Sequence, residues 1–149
     1  MNDELINSID MDLPVYQIGA VAEMLEVSVH TVRLYENEGL VIPYKKDTKH
    51  RLYSKNDLER LKGIRKLIKD KKYSISAIKA LYSMIPCWAL KNCDQIERDK
   101  CPAFNGILTP CWTVKNPSKP CDLEDCRVCD VYKLNYNCDK IKDSIKKLK

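Results

Sequence analysis

The first 86 residues of this 149-residue chain contain no cysteine, and all eight cysteines fall between Cys87 and Cys138. That break separates a stretch long enough for a compact core from a smaller piece that needs extra fastening. Both histidines, His30 and His50, lie before it, which excludes a mixed Cys/His zinc site built within the second piece. Four glycines leave little material for a nucleotide-binding loop and no nucleophile–base pair stands out, so the chain does not read as an enzyme. No run approaches the roughly 20 apolar residues of a membrane span. The opening Met1-Asn2-Asp3-Glu4 is acidic where a secretory signal is basic. The chain is therefore expected to be cytoplasmic, without a membrane partner. In a reducing compartment, clustered thiols serve as metal ligands or redox groups in preference to structural disulfides.

Positive charge is scarce at the front and concentrated in the middle. Residues 1–43 hold one basic side chain, Arg33, against eight acidic ones, whereas residues 44–79 hold thirteen against four, within a net charge of +5. The basic block suits a polyphosphate, although Lys-rich helices also occur as plain solvated faces.

Apolar spacing predicts four helices in the first half. In Tyr16–Val27, the residues Ile18, Val21, Ala22 and Leu25 recur at i, i+3, i+4 and i+7. Ser28 is placed to cap a second helix running from Val29 to about Glu38, and Gly39 to end it. Two short helices joined by a tight turn form a helix-turn-helix pattern. Leu40–Pro43 and Arg51–Tyr53 flank a polar stretch and predict a small hairpin, the wing. Ser54-Lys-Asn-Asp57 reads as a capping box ahead of Leu58, Leu61, Ile64 and Ile68. Ser74 opens a fourth helix with Ile75, Ile78, Leu81 and Ile85 on one side, and Pro86 closes it. The basic residues of the third helix, Arg60, Lys62, Arg65, Lys66 and Lys69, are expected on a solvated face.

The run Ser28-Val-His-Thr-Val-Arg-Leu-Tyr-Glu-Asn-Glu-Gly-Leu-Val-Ile-Pro43 resembles the recognition helix and exit of the MerR family of regulators, and Arg51-Leu-Tyr53 with Asp57-Leu58 resembles that family's wing and the helix after it. Leu34 departs from the pattern, standing where many members have an aromatic residue. The resemblance implies a winged helix-turn-helix on double-stranded DNA, with the recognition helix in the major groove. Ser28, His30, Thr31 and Arg33 would lie near the groove, Tyr35 would donate to a phosphate, and Lys49, Arg51 and Tyr53 would hold the backbone from the wing. Each has a plainer alternative: Tyr35 in the core, Arg33 paired with Glu36 or Glu38, His30 merely in solvent. The resemblance further implies a homodimer on a palindromic promoter, with RNA polymerase as a possible partner. The family's long pairing helix is not visible, because Pro86 and Cys87 interrupt the chain where it would begin; the cysteine-rich piece or the stripe Ile141, Ile145 and Leu148 is left to serve.

The second half is too small and too rich in Lys, Asn and Pro to bury much apolar surface, and thiolate ligation would replace the missing core. Cys87, Cys93, Cys101, Cys111, Cys121, Cys126 and Cys129 are the candidate ligands; Cys138 stands apart beside the basic tail. Only Cys126 and Cys129 have the two-residue gap of a chelating knuckle. An iron–sulfur cluster is the first expectation and zinc the runner-up, with thiol switching as a third reading. Trp88, Phe104 and Trp112 would shield such a centre or form the small apolar core.

The expected architecture is thus mainly α: an N-terminal tail over residues 1–13, a winged helix-turn-helix over 14–86 with four helices and a hairpin wing, an irregular cysteine-rich sensor module over 87–138, and a basic tail or short helix over 139–149. The expected function is transcription regulation controlled by a cysteine-ligated cluster or metal. A DNA-architectural or excisionase-like factor with structural zinc is the alternative.

Overall fold

A computed structural model describes residues 11–45, 50–91, 93–106, 109–114, 121, 126–133, 142–143 and 146. Lys49, Cys138 and the stripe Ile141, Ile145 and Leu148 lie outside the described residues.

The first element differs from its expectation. Tyr16–Gln17 is a short strand, β1, and the helix α1 begins only at Ile18 and runs to Met24. The apolar spacing captured the helix but carried no sign of the strand, whose partner lies far along the chain. Ser28 caps α2 (Val29–Asn37) by accepting from the Thr31 amide at 3.1 Å, satisfying one of the free N–H groups of the first turn. Gly39 then reverses the chain at φ 76°, in the left-handed region. Leu40–Pro43, expected as one arm of the hairpin, forms no strand; Leu40 and Val41 are buried beneath α2 instead. The arms are β2 (Tyr44–Lys45) and β3 (Arg51–Tyr53), and β1 adds to the other edge of β3, giving an antiparallel sheet of order β1-β3-β2.

The capping box forms as expected. The Ser54 hydroxyl accepts from the Asp57 amide at 3.0 Å, while the Asp57 carboxylate accepts from the Ser54 amide at 2.8 Å. It opens α3 (Lys55–Lys69), and Ser74 caps α4 (Ile75–Ser83) in the same single-bond manner as α2. Val21, Val32, Leu40, Tyr53, Leu61, Ile64 and Ile78 close the core between these helices and the sheet.

From Cys87 the chain continues in short pieces: α5 (Cys87–Leu90), α6 (Gln95–Lys100), α7 (Pro102–Asn105), 3-10 turns at Cys111–Thr113 and Cys126–Val128, and α8 (Asp130–Lys133). Trp112 packs against the main core, and Val131 and Tyr132 are buried.

Arg60 is where the two halves meet, and it corrects the expectation of a solvated basic face. It is fully buried. Its Nε donates to the Leu40 carbonyl at 2.6 Å and its Nη1 to the Tyr132 carbonyl at 2.8 Å. Its guanidinium lies 4.8, 5.1 and 3.9 Å from the ring centres of Tyr82, Trp112 and Tyr132. A planar cation can donate from its edge and offer its faces to aromatic rings at once, which an ammonium cannot. Lys62, Lys66 and Lys69 are exposed, as expected of that face.

Arg60→Ala is expected to lower stability by about 3 kcal/mol or more, since two dry carbonyls lose their donor and the rings lose their filler. Arg60→Lys should recover only part of that loss. Urea titrations of the two variants measure both effects.

Candidate functional site

Two surfaces of the molecule carry chemistry, and they share a wall. The first is the outer face of α2. Ser28, His30, Arg33, Leu34 and Asn37 are exposed, and Thr31 is half-buried. His30, Arg33 and Asn37 recur at i, i+3 and i+7, so one helical face presents an imidazole, a guanidinium and an amide together. Asn37 was not foreseen; it follows from the same spacing.

The intrahelical pairing considered for Arg33 does not form. Glu36 turns to the sheet, accepting from Arg51 Nε at 2.7 Å and from the Tyr53 hydroxyl at 3.3 Å, and Glu38 meets Lys79 at 3.2 Å. Arg33 is left outward. Arg51 lies opposite Lys45 in the β2–β3 register, so the hairpin holds two cations side by side. Like charges directly across a ladder repel. Glu36 offsets that repulsion from below and fixes Arg51 against α2.

Two expected phosphate contacts are corrected by burial. Tyr53 is 0% exposed and Tyr35 is 2% exposed, so both rings belong to the core. The Tyr35 hydroxyl accepts from Arg65 at 3.4 Å, and the Tyr53 hydroxyl is spent on Glu36. Burial, with the Glu36 charge beside it, raises the Tyr53 phenol well above its ordinary value, so it stays a donor. Its part is to hold Glu36, and through Glu36 the orientation of Arg51.

The second surface is a pocket. Cys87, Cys93, Cys101, Cys111, Cys121, Cys126 and Cys129, all seven candidate ligands, line one cavity of about 70 Å³ together with Trp88, Phe104, Trp112 and Val131. Chain positions as far apart as Cys87 and Cys129 are thereby brought together, and none of the seven is in a disulfide. Trp88 meets Phe104 edge to face at 5.2 Å on this wall, so these aromatics are both shield and local core. Among the described residues, no group of three or more His, Cys, Asp or Glu is arranged to hold a metal ion. Burial, then the neighbouring thiols Cys101, Cys121 and Cys93, push the Cys87 thiol up to about 11. Cys111 is pushed higher still by burial, with Cys87, Cys129, Cys126 and Cys121 adding to it.

The shared wall was not legible from spacing. Trp112 Nε1 donates to the Gly39 carbonyl at 2.6 Å, and the Ile42 amide donates to the Tyr132 hydroxyl at 2.9 Å. Arg127 Nη1 donates to the Ile42 carbonyl and pairs with Asp57 at 2.9 Å. A Cβ on Gly39 would stand 2.3 Å from Thr113 Cγ2. Each of Trp112, Arg127 and Tyr132 lies within three residues of a pocket cysteine, and each grips the exit of α2.

Residues 16–85 match the family model described as MerR HTH family regulatory protein. The chain is 32% identical over 73 residues to a heat shock protein, HspR, of Streptomyces coelicolor, covering 49% of this chain and 48% of that protein. It is also 32% identical over 71 residues to the HTH-type transcriptional regulators GlnR of Bacillus anthracis and Bacillus cereus, covering 48% of this chain and 54% of each. The chain thus matches about half the length of these relatives. The match to the family model ends two residues before Cys87. Among the described residues, no helix is long and apolar enough to cross a membrane.

The raised Cys87 thiol gives a signed expectation for the metal-free chain. Against an ordinary value of 9.0, a value of about 11 keeps Cys87 protonated at pH 8 and makes its alkylation about 100-fold slower than that of a free cysteine peptide. Reactivity should climb as pH rises toward 11. Iodoacetamide labelling read by peptide mass spectrometry at several pH values checks it.

Proposed function

We propose that this chain is a sequence-specific, DNA-binding transcription regulator whose DNA affinity or DNA distortion is set by a thiolate-ligated group in the seven-cysteine pocket. The observation that carries the DNA half is the outward face of α2, with His30, Arg33 and Asn37, beside the cationic pair of Lys45 and Arg51 held up by Glu36. A recognition helix of this size fits the major groove, and cations on an adjacent hairpin suit flanking phosphates. The match to a family of regulators and the names of the relatives support the same reading, and a role in regulation rather than catalysis. In the family's manner the chain would act as a homodimer on a promoter.

The sensing half rests on the donor set. A single zinc ion at about 2.3 Å from each sulfur draws its thiolates within about 4 Å of one another. The seven thiols that line the pocket exceed the four that a single zinc ion takes. A polynuclear iron–sulfur cluster brings its own iron and sulfide and takes four thiolates at its corners, which seven cysteines supply with some to spare. Cys111 and Cys87 are the central ligand candidates, because Cys111 feels the charge of Cys87 and both feel that of Cys121. When bound, such a cluster supplies a change of oxidation state, or its own loss, as the signal. The chain's own residues hold it in place, keep water off it with Trp88 and Phe104, and connect it to α2.

Arg33→Ala is expected to weaken binding to a promoter duplex by about 1–3 kcal/mol and to reduce the salt slope by about one counterion, whereas Tyr53→Phe should leave that slope unchanged. Electrophoretic or anisotropy titrations at several salt concentrations read both. Anaerobic purification should yield a coloured protein containing iron and acid-labile sulfide. A colourless protein carrying zinc would replace the cluster by a structural metal and move the architectural-factor reading ahead.

A further inference from the structure

Seen from the recognition helix, the pocket wall is a clamp. Three residues just past the α2 cap are gripped: the Gly39 carbonyl by Trp112, the Leu40 carbonyl by Arg60, the Ile42 amide by Tyr132 and the Ile42 carbonyl by Arg127. Three of the four gripping side chains come from the cysteine-rich half. Trp112 follows Cys111 directly, Arg127 sits inside the Cys126–Cys129 turn, and Tyr132 stands on α8, three residues past Cys129. None of these three faces the outer, groove-directed side of α2.

We propose that Trp112, Arg127 and Tyr132 are positioning residues that make the angle and order of the α2 exit answer to the state of the pocket thiols, with Arg127 as the principal link. The inference rests on the reading of the pocket as a ligand-binding sensor and adds the route by which its state reaches DNA. The covalent connection is short. Ligation at Cys126 and Cys129 fixes the 3-10 turn between them, and the turn fixes the direction of the Arg127 side chain. Arg127 ties that turn to Ile42 on one side and to Asp57 on the other, where Asp57 is already committed to the α3 capping box. When the thiols let go, the turn is released, and with it a brace on both the recognition-helix exit and the start of α3. Trp112 acts in parallel: its ring fills the space beside Arg60 and Tyr132 while its N–H holds Gly39. Gly39 cannot be replaced without collision at Thr113, so the close approach is built into the backbone.

The Ile42 amide reports the state of the clamp, because its hydrogen bond goes to Tyr132 alone and not into a helix or sheet. Hydrogen exchange of the full chain, read by mass spectrometry or NMR, therefore tests the inference without an operator. The wild-type chain is compared as purified anaerobically and after stripping with chelator and oxidant, with iron, sulfide and visible absorption recorded in parallel. Stripping is expected to speed exchange at Ile42 by about tenfold or more, while amides inside α2 such as Val32 change little. In Arg127→Met, the pocket should load as in wild type, but exchange at Ile42 should be fast from the start and insensitive to stripping. Loss of the visible spectrum with no change at Ile42 overturns the inference and leaves the sensor reading standing. If the purified chain holds no metal at all, the sensor reading fails separately, and the link is then read on that unligated chain: slow exchange at Ile42 overturns it, and fast exchange with an intact core supports it. Should Arg127→Met fail to fold, Arg127→Lys, whose arm is one bond shorter than the one that carries Nη1 to Ile42 and Asp57, takes its place with the same two outcomes.

Discussion

A guanidinium with no access to water sets the terms for the rest of this structure. Arg60 keeps its charge in the interior because two carbonyls and three aromatic faces surround it. Only the Leu40 carbonyl and the Tyr82 ring belong to the first 86 residues; the Tyr132 carbonyl and the rings of Trp112 and Tyr132 come from beyond Cys111. Without the cysteine-rich half, Arg60 would face solvent across an open apolar floor. With it, the cation is dry and even its Nη2, which finds no partner among the described residues, is enclosed. The two halves are therefore not beads on a string. Removing or loosening the second changes the burial of a charge in the first, and a buried charge left half-satisfied is among the more costly states a core can hold.

The helix α2 divides its duties by face. Val32 and Tyr35 anchor it inward, and His30, Arg33 and Asn37 look outward. Glu36 lies on the flank toward the sheet, where its two oxygens gather Arg51 and Tyr53. A carboxylate this close to the surface proposed to face phosphates would repel DNA if it stood alone. Engaged by two donors, it becomes a fixed strut that aligns a cation of the hairpin with the helix, and the unfavourable neighbour of the phosphates is spent on placing a favourable one.

Local signals were legible and long-range ones were not. Ser28, Ser54, Asp57, Ser74 and Gly39 announced helix ends because capping is a matter of three or four adjacent residues. The strand at Tyr16–Gln17 was hidden because its partners Tyr53 and Leu52 lie 37 and 35 positions away, and two residues carry no period. Arg60 was misplaced because charge was allowed to outvote position: Asp57, Arg60, Leu61 and Ile64 fall at i, i+3, i+4 and i+7, the buried stripe of α3, and two of the four are ionic. Tyr53 was assigned to phosphate for its hydroxyl, whereas the alternation of β3 turns it inward. The seven cysteines were grouped by composition and line one cavity, yet nothing in their spacing revealed that Trp112, Arg127 and Tyr132 beside them reach back to the α2 exit.

The strength of that reach can be compared with what a regulator requires. Moving a two-state equilibrium from 1:99 to 99:1 takes about 5.5 kcal/mol of differential stabilisation. A hydrogen bond in a partly buried setting contributes about 1 kcal/mol net, and one involving a charged group about 1.5–3 kcal/mol. The bonds from Trp112 and Tyr132 to the α2 exit are of the first kind, and those from Arg127 to Ile42 and Asp57 of the second. Loss of the neutral pair alone, about 2 kcal/mol, changes the exit by a factor of about 30, a graded response, whereas loss of the Arg127 links with them reaches the range of a switch. On the proposed route, the charged residue inside the Cys126–Cys129 turn would carry the larger share of the coupling, because its bonds to Ile42 and Asp57 are the charge-assisted ones.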